Sequence, residues 1–173
     1  MKILVTGGSG LVGQALKEEV VGSEHTWIFS NSGICDLREF SQVLLYFGTR
    51  KPDYVVHLAA NVGGLFKNLE HNVEMYEDNM LMNFNVLRAC HQLKITNCLC
   101  ILSTCIFPDK TLYPINEGML HNGPPHNSNS GYSYAKRMLD IHCKLYNDKY
   151  NLKFFSSKFN NGKTKLSSSN SKS

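Results

Sequence analysis

Tyr132 and Lys136 stand four residues apart, so on a helix they share one face. A tyrosine with its ordinary pKa of about 10 is a poor acid or base at neutral pH. A lysine ammonium one turn away would stabilise the phenolate and bring the hydroxyl into range for proton transfer. The spacing alone is weak, because a chain with 8 tyrosines places such pairs on solvated helix faces by chance. Order along the chain adds the missing weight. The pair follows an apolar strand that ends in Ser103, and both follow a glycine-rich turn that begins at Gly7. Ser103 is placed to hydrogen-bond a substrate oxygen that gains or loses a proton. Tyr134 would face elsewhere on the helix and reads as structural.

The turn is Thr6-Gly7-Gly8-Ser9-Gly10-Leu11-Val12-Gly13. Gly7 allows a tight turn, Gly10 lets backbone approach a pyrophosphate, and Gly13 lets a helix pack on its strand. The helix start at Leu11 and Val12 then turns free N–H groups toward phosphate. Between a strand and a helix, this GxxGxxG spacing points to a dinucleotide. The nicotinamide of such a cofactor would add its charge to that of Lys136 beside Tyr132. The tip of the second strand reads Ser30-Asn31-Ser32, without an acid for the ribose 2′-hydroxyl. That absence favours NADP(H) over NAD, although no arginine sits at the tip for a 2′-phosphate.

These groups need a scaffold. Apolar patterning predicts strands over 2–6, 26–30, 54–58 and 97–103, and another beginning at Leu152. It predicts helices over 11–21, 38–48, 73–93 and 131–150, with a loop at 61–64 and a long one from Thr104 to about Ser130. Alternation of this kind implies an α/β fold, a Rossmann-like doubly wound parallel sheet. Asp36, just before the second helix, reads as a cap for it.

Composition narrows the class. Hydrophobic residues make up 42% of the chain, which suits a soluble globular domain. No apolar run nears the roughly 20 residues of a membrane span, and the start does not read as a signal peptide. The expectation is a cytoplasmic protein that does not engage membranes. None of the six cysteines forms a CxxC pair, so they read as reduced thiols and no metal site is expected. The net charge of +4 arises from four lysines in 156–173, a stretch with no acid. Residues 1–155 are formally neutral, which gives no reason to expect a nucleic-acid partner. They read as the NADP(H)-binding domain, incomplete at its C-terminal end. Residues 156–173, rich in Ser, Lys and Asn, read as a disordered tail, or as a strand edge through about 157 followed by one.

Longer stretches are more specific. They are Ser103-Thr104-Cys105-Ile106-Phe107-Pro108-Asp109-Lys110, His121-Asn122-Gly123-Pro124-Pro125-His126-Asn127-Ser128-Asn129 and Gly131-Tyr132-Ser133-Tyr134-Ala135-Lys136-Arg137. His57-Leu58-Ala59-Ala60 and Val62-Gly63-Gly64-Leu65-Phe66 complete the set. Together they resemble the GDP-L-fucose synthase family of extended short-chain dehydrogenases/reductases.

The resemblance implies epimerisation of GDP-4-keto-6-deoxy-D-mannose at C3 and C5, followed by reduction at C4 with NADPH. It implies Tyr132, Lys136, Ser103 and Cys105 as catalytic residues, with Cys105 an acid–base group of the epimerisation. Without it, Cys105 would read as an inert thiol. It implies Gly7, Gly8, Ser9, Gly10, Leu11, Val12, Gly13, Asp36, Ala59 and Lys136 around NADP(H), and matches Asn79 to an asparagine on the long helix. Asp36 then has a second reading, as acceptor for the adenine amino group. The long helices imply a homodimer. The family's catalytic histidine is expected in a segment resembling Pro-Thr-Asn-Val-Phe-Gly-Pro-His. Here the chain reads Ser156-Ser157-Lys158-Phe159-Asn160-Asn161-Gly162. The resemblance therefore implies that this histidine and the C-terminal substrate domain are missing. The alternative expectation is a non-catalytic fragment that binds NADP(H) weakly or only pairs with a full-length subunit.

Overall fold

The computed structural model describes residues 1–158. Five strands form one sheet: β1 (Lys2–Thr6), β2 (Thr26–Phe29), β3 (Tyr54–His57), β4 (Asn97–Leu102) and β5 (Lys153–Lys158). Their order is β2-β1-β3-β4-β5, and every neighbouring pair is parallel. The chain leaves β1 toward β2 on one side and later returns to β3 on the other. That reversal opens a crevice beyond the carboxyl ends of β1 and β3, where ligands bind in such sheets.

The helices are α1 (Leu11–Glu19), α2 (Phe40–Arg50), α3 (Leu65–Glu70), α4 (Asn72–Gln92) and α5 (Ser130–Tyr150). The main core lies between one sheet face and α2, α4 and α5. Leu4, Val55, Cys98 and Phe154 of the strands meet Phe47, Leu87 and Leu139 of the helices there. The other face carries Ile3, Val5 and Val56, with Leu16 of α1 packed against them. On that face Trp27, Phe29, Tyr54 and Leu99 are only partly buried. The doubly wound arrangement is therefore present and strongly lopsided among the described residues.

Several elements differ from the sequence expectations. The second helix starts at Phe40 with Glu39 at its cap position, so Asp36 does not cap it. A short helix, α3, occupies part of the stretch between the glycine loop and α4, where none was predicted. Six residues are too few for an apolar period to emerge. The long loop contains three 3₁₀ turns, at Thr104–Ile106, Glu117–Met119 and Asn127–Asn129. The last strand runs to Lys158, past the expected boundary at 155 and near the alternative of a strand edge through about 157, because Ser156, Ser157 and Lys158 continue the pairing with Cys100, Ile101 and Leu102. The rest of the expected tail lies outside the described residues.

Candidate active site

The glycine turn follows directly from β1. Gly7 has φ +73°, and a Cβ there would meet the Ala59 backbone nitrogen at 2.6 Å. Only glycine fits, and the clash shows how closely the turn lies against the chain leaving β3. A Cβ on Gly13 would meet the Gly7 carbonyl oxygen at 2.6 Å, so α1 packs hard against the turn. Gly10 differs. A Cβ there would meet only the Gly7 carbonyl oxygen, at 3.4 Å, so packing within the chain does not demand a glycine. No side chain caps α1, and its first turn holds no acid. A bare backbone at Gly10 and an uncapped helix start are what a pyrophosphate requires. Gly8 donates to the Ser30 carbonyl oxygen at 2.7 Å, which ties the turn to the β2 tip.

A cleft of about 830 Å³ runs from this turn to Tyr132 and Lys136. Gly7, Ser9, Gly10, Leu11, Val12 and Gly13 line one end, with Asp36 and Ala59 also in its wall. Of the expected cofactor residues, Gly8 alone lies behind this wall, its Cα facing the Phe29 side chain. The residues present fit a dinucleotide.

The β2 end of the cleft holds an arrangement that spacing did not reveal. Arg38 donates to the Asp36 carboxylate through Nε at 3.0 Å and Nη2 at 2.8 Å, and to Asp78 of α4 through Nη1 at 3.3 Å. Asp36 also accepts from the Arg38 backbone N–H at 3.0 Å. The Arg38 hydrogen bonds hold the Asp36 carboxyl below its ordinary value. Asp36 thus lines the cleft as an occupied acceptor. An arginine is present after all, well past the β2 tip where sequence reasoning looked for it.

Ala59 is set from beneath. Its N–H donates to Thr6 Oγ1 at 3.4 Å, and that hydroxyl lies 2.8 Å from His57 Nδ1. His57 Nε2 lies 3.0 Å from Asn83 Oδ1, and Asn83 Nδ2 donates to the Ala135 carbonyl oxygen at 3.4 Å. With the amide so oriented, Nε2 carries the proton and Nδ1 accepts from Thr6. Burial pushes His57 down, which keeps it neutral. The chain of bonds links β1, β3, α4 and α5 underneath the cleft. Asn79 does similar work one turn earlier. It is fully buried, accepts from the Asn61 N–H at 3.0 Å and donates to the Asn61 carbonyl oxygen at 2.7 Å. It fixes the loop after β3.

Tyr132, Lys136 and Ser103 line the other end, where the chain leaving β4 meets α5, and Cys105, in the 3₁₀ turn that follows, joins them through Ser103. Cys105 Sγ donates to Ser103 Oγ at 3.2 Å, and Ser133 Oγ donates to Cys105 Sγ at 3.3 Å. Arg137 secures the long loop around them, donating to the carbonyl oxygens of Ile106 at 2.5 Å and Gly123 at 2.8 Å.

The titration of the pair departs from the sequence expectation. Burial pushes Tyr132 up to about 12, with the Cys105 charge adding to the rise and a hydrogen bond with Ser103 opposing it. Lys136 is 2% exposed, and burial pulls it down to about 8. Its Nζ donates to the Ile101 carbonyl oxygen at 3.0 Å and stands 5.9 Å from the centre of the Tyr132 ring. The lysine is thus committed to the β4 backbone, and desolvation outweighs its field at the phenol. The protein's own groups hold Tyr132 as an acid.

Known proteins agree with this architecture. The chain is 50% identical over 157 residues to GDP-L-fucose synthase of Dictyostelium discoideum, covering 89% of this chain and 49% of that protein. It is 49% identical over 152 residues to a probable GDP-L-fucose synthase of Drosophila melanogaster, covering 86% and 47%. A crystal structure of a GDP-L-fucose synthetase from Naegleria fowleri bound to NADP superimposes with a TM-score of 0.84 at 44% identity, covering 91% of this chain and 49% of that one. The chain spans about half the length of the curated relatives it matches. The model of the NAD dependent epimerase/dehydratase family matches residues 3–163, and the chain belongs to that family.

Proposed function

We propose that this chain is the NADP(H)-binding half of a GDP-4-keto-6-deoxy-D-mannose 3,5-epimerase/4-reductase, the activity that yields GDP-L-fucose. One observation carries the reading. A glycine turn shaped for a pyrophosphate and the Tyr132–Ser103–Lys136 group occupy the two ends of a single cleft, and Cys105 is hydrogen-bonded to Ser103 beside it. The relatives that match most of the chain are named for this synthesis. In the proposal Gly7, Ser9, Gly10, Leu11, Val12 and Gly13 hold the pyrophosphate. Gly8 ties the turn to β2, and Asp36 and Ala59 border the adenine and the nicotinamide side. NADPH, when bound, supplies the hydride for C4.

The chain's own groups handle protons. Cys105 exchanges a proton at a carbon next to the C4 ketone. Ser103 hydrogen-bonds the C4 oxygen, and Tyr132 gives that oxygen its proton as the alcohol forms. Lys136, fixed to Ile101, positions the tyrosine and the ribose.

The first test is fluorescence titration of the purified chain with NADPH. Saturable binding that is lost on changing Gly10 to a bulky residue is the expected result, and no binding refutes the proposal. The second test adds the keto sugar. It follows the absorbance of the reduced cofactor and, separately, solvent-deuterium incorporation at C3 and C5. Incorporation that survives Tyr132→Phe and vanishes with Cys105→Ser is expected. The reverse pattern sinks the assignment.

Cytoplasmic residence and pairing with a second copy belong to the same proposal. Five of the six thiols are buried and free, as suits a reducing compartment. Helices α4 and α5 present Leu81, Phe84, Leu145 and Tyr150 outward, next to a Phe84–His142 stack at 5.3 Å. Such a face supports association, and sedimentation at several concentrations checks it.

A further inference from the structure

Ser133 lies beside the proposed tyrosine and is fully buried. It has one hydroxyl proton and two acceptors at equal distance. Cys105 Sγ is 3.3 Å from its oxygen, and Asn129 Oδ1 is also 3.3 Å away. Ser103 Oγ lies 3.2 Å from the same sulfur and receives the thiol proton. Cys105 therefore sits between a group that accepts from the thiol and a group that donates to the sulfur. A thiol satisfies Ser103 and leaves Ser133 to Asn129. A thiolate has no proton for Ser103 and attracts the Ser133 proton instead, since hydrogen bonds to charged groups are the stronger kind.

We propose that Ser133 is a positioning residue that supports the thiolate of Cys105 by turning its hydroxyl from Asn129 to the sulfur. This rests on the acid–base role proposed for Cys105. In the step it serves, the C–H bond next to the ketone breaks and an S–H bond forms. The bonding pair moves onto the C4 carbonyl oxygen as the enolate. As the sulfur gains its proton, the Ser133 hydroxyl returns to Asn129 and the new S–H donates to Ser103. When a proton is delivered to the carbon, the moves reverse. The titratable groups that feel the charge on this sulfur are Tyr132 and Lys136, both on α5.

The site can be read without turnover, because Cys105 is the one thiol of the six that is not buried. Native-state alkylation with iodoacetamide, read on the Cys105 peptide by mass spectrometry, is measured across pH together with the ultraviolet absorbance of the thiolate. Ser133→Ala is expected to slow alkylation about tenfold at neutral pH and to move the thiolate onset to higher pH. Ser133→Thr, which keeps the hydroxyl, restores both. Asn129→Ala removes the competing acceptor and moves the onset to lower pH; Asn129 makes no side-chain cap bond to α5. An unchanged onset in folded Ser133→Ala overturns the proposal. If that variant fails to fold, an Asn129→Ala onset that stays in place or rises overturns it instead. Loss of NADPH binding or of deuterium incorporation in the unmodified chain would refute the functional reading and leave these titrations interpretable.

Discussion

Lys136 offers a sharp quantitative test of the site. Its buried ammonium donates to the Ile101 carbonyl oxygen, and burial brings it from the ordinary lysine value of 10.5 down to about 8. A base whose folded value lies below its unfolded one binds fewer protons folded than unfolded between those two values. Stability attributable to it therefore rises with pH across that window. At about 1.4 kcal/mol per tenfold change, the gap corresponds to about 3 kcal/mol as an upper bound. Below pH 8 the full penalty of the buried charge is present. Other groups titrate too: Cys98 and Cys143, raised chiefly by hydrogen bonds with Cys100, and Tyr132, raised by burial, oppose the rise, while Cys100, lowered chiefly by its hydrogen bonds with Cys143 and Cys98, adds to it. The wild-type curve alone is therefore ambiguous, and Lys136→Met isolates the lysine. Losing the hydrogen bond to Ile101 offsets the curve by about 1 kcal/mol and leaves its slope, because a neutral amine also donates. Urea unfolding of both proteins from pH 7 to pH 10.5 should show the wild type gaining on the variant by up to about 3 kcal/mol. A flat difference refutes the burial argument. A falling difference would mean that the charges of Cys100, Cys105 and Cys143 outweigh burial at Lys136.

Three further changes probe the frame. Gly7→Ala forces a Cβ into the Ala59 backbone at positive φ; it should lower stability by about 2 kcal/mol or more in chemical unfolding and abolish NADPH binding. Gly131→Ala drives a Cβ into the Asn72 carbonyl oxygen, where Asn72 also accepts from the Gly131 N–H at 2.6 Å. Thermal melting should show a loss of several kcal/mol, about 3 or more, as the starts of α4 and α5 separate. Arg38→Ala should cost under about 1 kcal/mol, since its side chain is 49% exposed. It leaves Asp36 and Asp78 as unpaired carboxylates in the cleft wall, which repel an anionic dinucleotide, so NADPH affinity should fall severalfold, and more steeply at low salt in fluorescence titrations.

What the sequence disclosed was local. The turn from Gly7 to Gly13 encodes its own geometry, and Tyr132 and Lys136 declare a shared helix face through spacing alone. Ser103 and Cys105 gained position from the end of an apolar strand. Groups assembled by tertiary contact stayed hidden. Arg38 lies eight residues past Ser30, and nothing in the intervening stretch says that the chain folds back to place it in the cleft beside Asp78 of α4. Ser133 reads as one more polar helix residue until the loop brings Cys105 against it. The proton affinity that the protein's own groups give Tyr132 stayed hidden for a similar reason. One helical turn puts a lysine nearby, yet only the fold shows its ammonium turned to Ile101 and the phenol buried.

That reversal bears on how one site would serve the two chemistries of the proposed function. Epimerisation needs a base that carries charge, and reduction needs an acid that keeps its proton until the hydride has moved. If both groups ionised together, the second step would lack its donor. Here the Cys105 charge raises Tyr132, so the state that would serve the proposed epimerisation also tightens the hold on the tyrosine proton. Ser103 joins the two, accepting from the Cys105 thiol while its hydrogen bond to Tyr132 pulls the phenol down. Removing the charge at Cys105 should therefore ease ionisation of Tyr132. In Cys105→Ser the tyrosinate absorbance should appear at lower pH than in the unmodified chain, and the shift should shrink when Ser103 is also changed to alanine. An unchanged tyrosinate onset in Cys105→Ser would show that the two groups act independently and that burial alone sets the tyrosine.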